Sequence, residues 1–312
     1  MKERDSYIDV AKGLAMLLIV RIHTECMGPL GVPYPIIAVP LFFFLSGLYD
    51  RSERPIAQWL PKSVKSLVVT GLIWNTIGYL YKMLLQYIKD GNPNWECILE
   101  WPFAGDGTVW FLAVLFVTKL LTAMLVKLPF PKVGLFLLTL VIAWVSSLYH
   151  PYVLIDRVLT ALPLYCGGKL AYPYLSKLIE NKLLIGLGVL CLIYIWQFDY
   201  PYTLVELSLS TNGWYYPLYL GMTFAAFIPC LYIATILQNW QWMANYGTKT
   251  LGTLVLHPLM LHTCAITLNR DFVPESTTWF VCFVIAYVIV CVLCYYLTII
   301  IERYCPILLG KF

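Results

Sequence analysis

Lys12 and His23 stand eleven residues apart in the first apolar run of this 312-residue chain. On a helix, at ~100° per residue, eleven residues make three turns plus ~20°, so both side chains share one face about 16 Å apart along the axis. Asp9 precedes Lys12 by one turn, where the two charges can pair. Ionisable groups inside a membrane span are costly and mark function by default. The spacing therefore outlines a polar seam that leads inward to an imidazole. His23 carries the one side chain here whose ordinary pKa suits proton transfer near neutrality. The plainer reading has Lys12 snorkelling to the headgroups and His23 at the interface, and the residues alone leave both open. Arg21 and Glu25 flank His23 by two positions each, on other faces of the helix. Arg21 reads as an outer-interface anchor.

A second constellation is Val39-Pro40-Leu41-Phe42-Phe43-Phe44-Leu45-Ser46-Gly47, continuing through Asp50 to Arg51-Ser52-Glu53-Arg54. Two arginines at i and i+3 converge on one phosphate if the segment is helical, and guanidinium forks suit phosphate oxygens. The alternative is ordinary positive-inside charge, partly neutralised by Asp50 and Glu53. His257 sits in a later apolar run, where a structural hydrogen-bonding role competes with a chemical one. His262 and His150 read as structural or interfacial. Trp95, Trp101, Trp110, Tyr200, Tyr202, Trp214, Tyr215 and Tyr216 could stack on sugar faces, but an interfacial aromatic belt accounts for most of them. Most of the ten cysteines lie inside apolar runs and read as small hydrophobes. Cys26 and Cys97 are the one pair placed for an outer disulfide. No metal is implied.

The elements that must position these residues follow from composition. Apolar residues make up 60% of the chain and charged residues 12%, with a mean hydropathy of +0.75. A soluble domain of this length needs far more charge at its surface, so the chain reads as an all-α integral membrane protein. No segment is basic enough for a nucleic-acid surface. Ten apolar runs predict helices at 8–24, 36–49, 62–81, 109–127, 133–149, 154–173, 182–198, 214–237, 249–267 and 278–301. Most approach the ~20 residues that cross ~30 Å of hydrocarbon. The second is short, and Pro33, Pro35 and Pro40 predict a broken or re-entrant start. The first run lacks a small-residue cleavage site, so it is expected to stay as a helix rather than leave as a signal peptide. With ten spans and the N-terminus inside, sixteen Lys and Arg fall on the cytoplasmic side and five outside. Both termini are therefore expected in the cytoplasm, with Arg54 and Lys177 inside and Glu100 and Tyr202 outside. No repeat or linker divides residues 1–312, which are expected to form a single transmembrane domain.

These residues together resemble the acyltransferase-3 family of membrane O-acyltransferases. The resemblance rests on Arg4, Tyr7-Ile8-Asp9, Lys12 and His23, on Pro40 to Gly47, and on the Arg51/Arg54 pair. It continues through Trp110-Phe111-Leu112, Pro163 to Gly168, Gly247 to Pro258 with His257, and Pro306 to Gly310. Lys12 stands where many members have Arg, and Arg21 where small or apolar residues are usual. The resemblance implies a donor, acetyl-CoA or another acyl-CoA, and a hydroxyl acceptor on a glycan or lipid-linked glycan, at the cell inner membrane. Arg51, Arg54 and Lys12 would hold the donor. His23 would be the general base, or would carry the acyl group briefly itself. Asp9, Tyr7, Ser46, Trp110 and His257 would support them. It also implies a member without the soluble esterase-like domain that some relatives append. Two rivals are a small-solute transporter and a non-catalytic subunit of a polysaccharide pathway. No pair of similar halves with matching broken helices supports the transporter.

Overall fold

The protein is described from a computed structural model, over residues 5–23, 37–50, 53–92, 110–149, 153–197, 215–271 and 276–311. Among the described residues every regular element is helical. Nine of the ten expected runs correspond to α1 (Ser6–Ile22), α2 (Ala38–Leu48), α5 (Trp110–Leu125), α6 (Lys132–Tyr149), α7 (Val153–Ala171), α9 (Lys182–Gln197), α10 (Tyr216–Ile236), α12 (Thr250–Asp271) and α13 (Thr277–Tyr304). The third, expected at 62–81, is displaced toward the C-terminus as α4 (Thr70–Asp90). Helix α6, α10 and α13 are long and apolar enough to cross a membrane.

Three short helices lie outside the apolar runs or at their edge. Helix α3 (Ile56–Ser63) joins α4 through a π-helical turn at Val64–Val69, and α8 (Leu175–Glu180) and α11 (Gln241–Thr248) connect longer helices. The third run is also longer than its apolar stretch. It continues to Asp90 and stops at Gly91, whose φ of 73° is the left-handed cap that glycine adopts without penalty.

Helix α2 has eleven residues, about 16 Å, and cannot cross the hydrocarbon alone. Ten of the eleven are buried, so it is enclosed by protein on every side. The predicted break at Pro33 and Pro35 lies outside the described residues.

Two compact units emerge. One comprises Met1–Ile19, Gly31–Ile56 and Val117–Thr248, and the other Val20–Leu30, Ala57–Phe116 and Lys249–Phe312. In the first unit α2 lies along α7, which packs on α6, while α10 packs on α9. The α2–α7 contact is backbone to backbone. A Cβ at Gly47 would overlap the Tyr165 carbonyl, and one at Gly168 would overlap the Phe44 carbonyl. Only glycine at both positions permits that approach. This explains why the Pro40–Gly47 signature ends in glycine. In the second unit α12 packs on α13. A 3-10 turn at Pro306–Leu309 follows α13, and the Trp74 indole donates to the Leu308 carbonyl at 2.7 Å. Glu302 pairs with Lys249 and, at 2.8 Å, with Lys311.

Candidate active site

In the first unit the start of α1 carries Tyr7, Asp9 and Lys12. Asp9 is buried at 6% exposure, and its carbonyl abuts Gly247 of α11. Lys12 is half-buried, its ammonium 5.9 Å from the centroid of the Tyr49 ring. That contact lets the aromatic face stabilise the cation away from bulk water. Tyr49 donates its hydroxyl to Asp5 at 3.0 Å and meets the edge of Tyr172 at 5.7 Å. Lys12 thus lies over an aromatic ring whose hydroxyl is itself bonded to a carboxylate.

Two residues beyond α2 lies a cluster that sequence reasoning missed. The Asp50 carboxylate is fully buried and takes the Tyr165 hydroxyl at 2.9 Å and the Lys169 ammonium at 2.8 Å. Glu53 lies 3.5 Å from Lys169 and 3.8 Å from Lys132. The acids read from sequence as neutralisers of Arg51 and Arg54 pair with lysines of α6 and α7. The available signal was Lys169 in an apolar helix, four residues after Tyr165 and so on the same face. Arg54 is exposed in the bend before α3, and Arg51 lies outside the described residues. Ser46 is half-buried on α2.

In the second unit His23 follows directly on α1 and is exposed, whereas His257 of α12 has no exposed surface. Their rings meet edge to face, centroids 4.9 Å apart, with His257 Nε2 3.4 Å from His23 Nδ1. His257 Nδ1 lies 2.8 Å from the Thr253 carbonyl one turn earlier. A carbonyl only accepts, so His257 Nδ1 carries the hydrogen and its Nε2 is the acceptor. His23 then donates from Nδ1, which places its own lone pair on Nε2. The helical register of α12 therefore selects the tautomer of a histidine 234 residues away.

Also in the second unit, Tyr287 of α13 bonds Cys291 and lies within electrostatic reach of Arg21. His262 is exposed and meets the edge of Tyr81 at 6.5 Å. Trp110 is half-buried against Phe111, 6.2 Å between centroids. Of the aromatics expected in the interfacial belt, Tyr216 is buried and Tyr215 exposed. Trp95, Trp101, Tyr200, Tyr202 and Trp214 lie outside the described residues, as do His150 and the Cys26–Cys97 pair. Among the described residues no group of three His, Cys, Asp or Glu is placed to hold a metal ion.

Lys12 and His23 fall in different units, and the structure surrounds each with its own partners. It brings His23 to His257, and Lys12 to Tyr49. Compared with known protein families, residues 5–297 match the acyltransferase-3 model, described as an acyltransferase domain. No curated protein and no solved structure matches the chain.

Proposed function

Because the chain belongs to the acyltransferase-3 family and is a membrane acyltransferase, we propose that it transfers an acyl group, acetyl foremost, from acyl-coenzyme A to a hydroxyl of a glycan or lipid-linked glycan. The observation that carries this reading is the His23–His257 pair. With Nδ1 engaged by His257, the Nε2 lone pair of His23 takes the acceptor's hydroxyl proton. The acceptor oxygen then bonds to the thioester carbonyl carbon, the carbon–sulfur bond breaks, and the departing thiolate receives the proton from the imidazolium. During the step His23 becomes a cation, and the Nδ1–H bond to His257 strengthens as that charge develops.

Lys12, Arg51 and Arg54 place the donor in this reading, the arginines by gripping phosphate oxygens from the cytoplasmic face. The ten-span topology with both termini inside, supported by the sixteen-to-five split of basic residues, puts those arginines where a cytoplasmic coenzyme reaches them. A multi-pass position in the cell's inner membrane completes the picture.

The test is release of coenzyme A by purified protein, which neither a transporter nor a non-catalytic subunit produces. His23→Ala should stay folded and bind donor yet lose about 10²–10⁴-fold in turnover, the usual contribution of a positioned acid–base group. Wild-type turnover should rise with pH through the imidazole range, because only the neutral ring accepts a proton. Lys12→Arg should retain activity. Near-normal turnover in His23→Ala would end the assignment.

A further inference from the structure

The first unit contains an apolar cavity that the proposed chemistry leaves unused. Its volume is ≈ 490 Å³, and six helices line it, through Phe44 of α2, Phe136 of α6, Leu170 of α7, Leu178 of α8, Leu184 of α9 and Phe224 of α10. No charged side chain lines it, and the one polar group is the hydroxyl of Tyr174. Water does not fill such a space, since it needs two or more polar partners. Left empty, the walls would forfeit their dispersion contacts across the gap. An apolar cavity of about 150 Å³ accommodates one benzene ring, so this one has room for roughly three such rings, or about eighteen carbons. In a membrane protein the medium at hand is hydrocarbon chain.

The surroundings of the cavity indicate which chain. Helix α8, which forms part of the lining, buries Leu175 and Ile179 and exposes Ser176, Lys177 and Glu180. This is the division expected of a segment at the interface. Exposed Lys177 directly precedes the lining residue Leu178, and exposed Lys182 lies two residues before Leu184. Lys132, exposed, directly precedes Val133 of the lining. Against these three ammonium groups stand Glu53, beside Lys132, and Glu180. The excess of ammonium groups next to the cavity suits a phosphate.

We propose that this cavity holds one hydrocarbon chain of an anionic membrane phospholipid, with Lys132, Lys177 and Lys182 meeting the headgroup. A chain held among six helices would fill the space between them and brace α2, which leads two residues on to Asp50 of the buried ion cluster.

The test is reconstitution of full-length protein in nanodiscs of phosphatidylglycerol and phosphatidylcholine in equal amounts with identical chains, followed by mild detergent extraction. Mass spectrometry then counts the retained lipid. Wild type should keep one lipid per chain, with phosphatidylglycerol preferred about tenfold, as attraction between lysines and anionic headgroups implies. Ala225→Phe, which fills the cavity from α10, should reduce retention several-fold. Lys132→Gln, Lys177→Gln and Lys182→Gln combined should retain a lipid but lose the headgroup preference. That variant leaves the core intact and decides the matter should the filled one fail to fold. Wild type without retained lipid, or equal retention of the two headgroups, would overturn the proposal. So would displacement of the lipid by palmitoyl-coenzyme A, which would assign the cavity to a donor's acyl chain instead.

Discussion

Replacing His257 by leucine removes one acceptor from beneath His23 and leaves a side chain of similar bulk. The consequence follows from the geometry. His257 Nε2 is the partner of His23 Nδ1 at 3.4 Å, long for a hydrogen bond in the resting state. Bonds to charged groups contribute about 1.5–3 kcal/mol. At that length the lower part of the range applies, about 1.5–2 kcal/mol, realised as His23 becomes cationic. With 1.36 kcal/mol per tenfold in rate, the expected loss is about 10–30-fold in kcat. His257→Gln offers an amide oxygen to the same Nδ1–H and should recover most of it. The assay is initial release of coenzyme A thiol from protein in nanodiscs, at saturating acyl-coenzyme A and across the pH range in which imidazole titrates. The Michaelis constant for the donor should hardly move, because the interaction strengthens only as the charge forms. A folded leucine variant with wild-type kcat would refute the reasoning. So would equal losses in the leucine and glutamine variants, since a packing role makes no distinction between accepting and non-accepting side chains.

The buried ion cluster makes a stability prediction. Lys169→Met should cost about 3–5 kcal/mol by stranding the Asp50 carboxylate, and adding Asp50→Asn should recover most of that. Thermal unfolding in detergent measures both, and a single variant as stable as wild type would place Asp50 in contact with water. For donor binding, Arg51→Ala and Arg54→Ala should each weaken acyl-coenzyme A affinity by about 1.5–3 kcal/mol, with lysine restoring only part. Unchanged affinity in the double variant would leave the arginines as topology signals alone. For topology, cysteine labelling should find Arg54→Cys and Lys177→Cys accessible from the cytoplasm and Glu100→Cys from outside. Labelling of Arg54→Cys and Glu100→Cys from one side would overturn the ten-span arrangement.

The sequence alone determined the all-helical class and the places of the longer helices, apart from the displaced α4. Both depend on local properties, the length of an apolar run and the residues that bound it. The helix that carries Lys12 and the shortness of α2 were legible for the same reason, as were the motifs that mark the family, whereas His23 lies one residue past the end of α1. Helices α8 and α11 were not legible. At six and eight residues they are too short to establish a period. Partnerships between helices were equally hidden. Nothing local to His257 shows that it will meet His23, and nothing local to Asp50 shows that Lys169, 119 residues on, will neutralise it. Such meetings depend on the rotation and depth of each helix about its axis. Those are set by close approaches such as Gly47 on Tyr165 and Gly168 on Phe44, which exist only once the helices are packed. The sequence therefore supplied the candidate base, and the tertiary structure decided its tautomer by placing a buried imidazole against one of its two nitrogens.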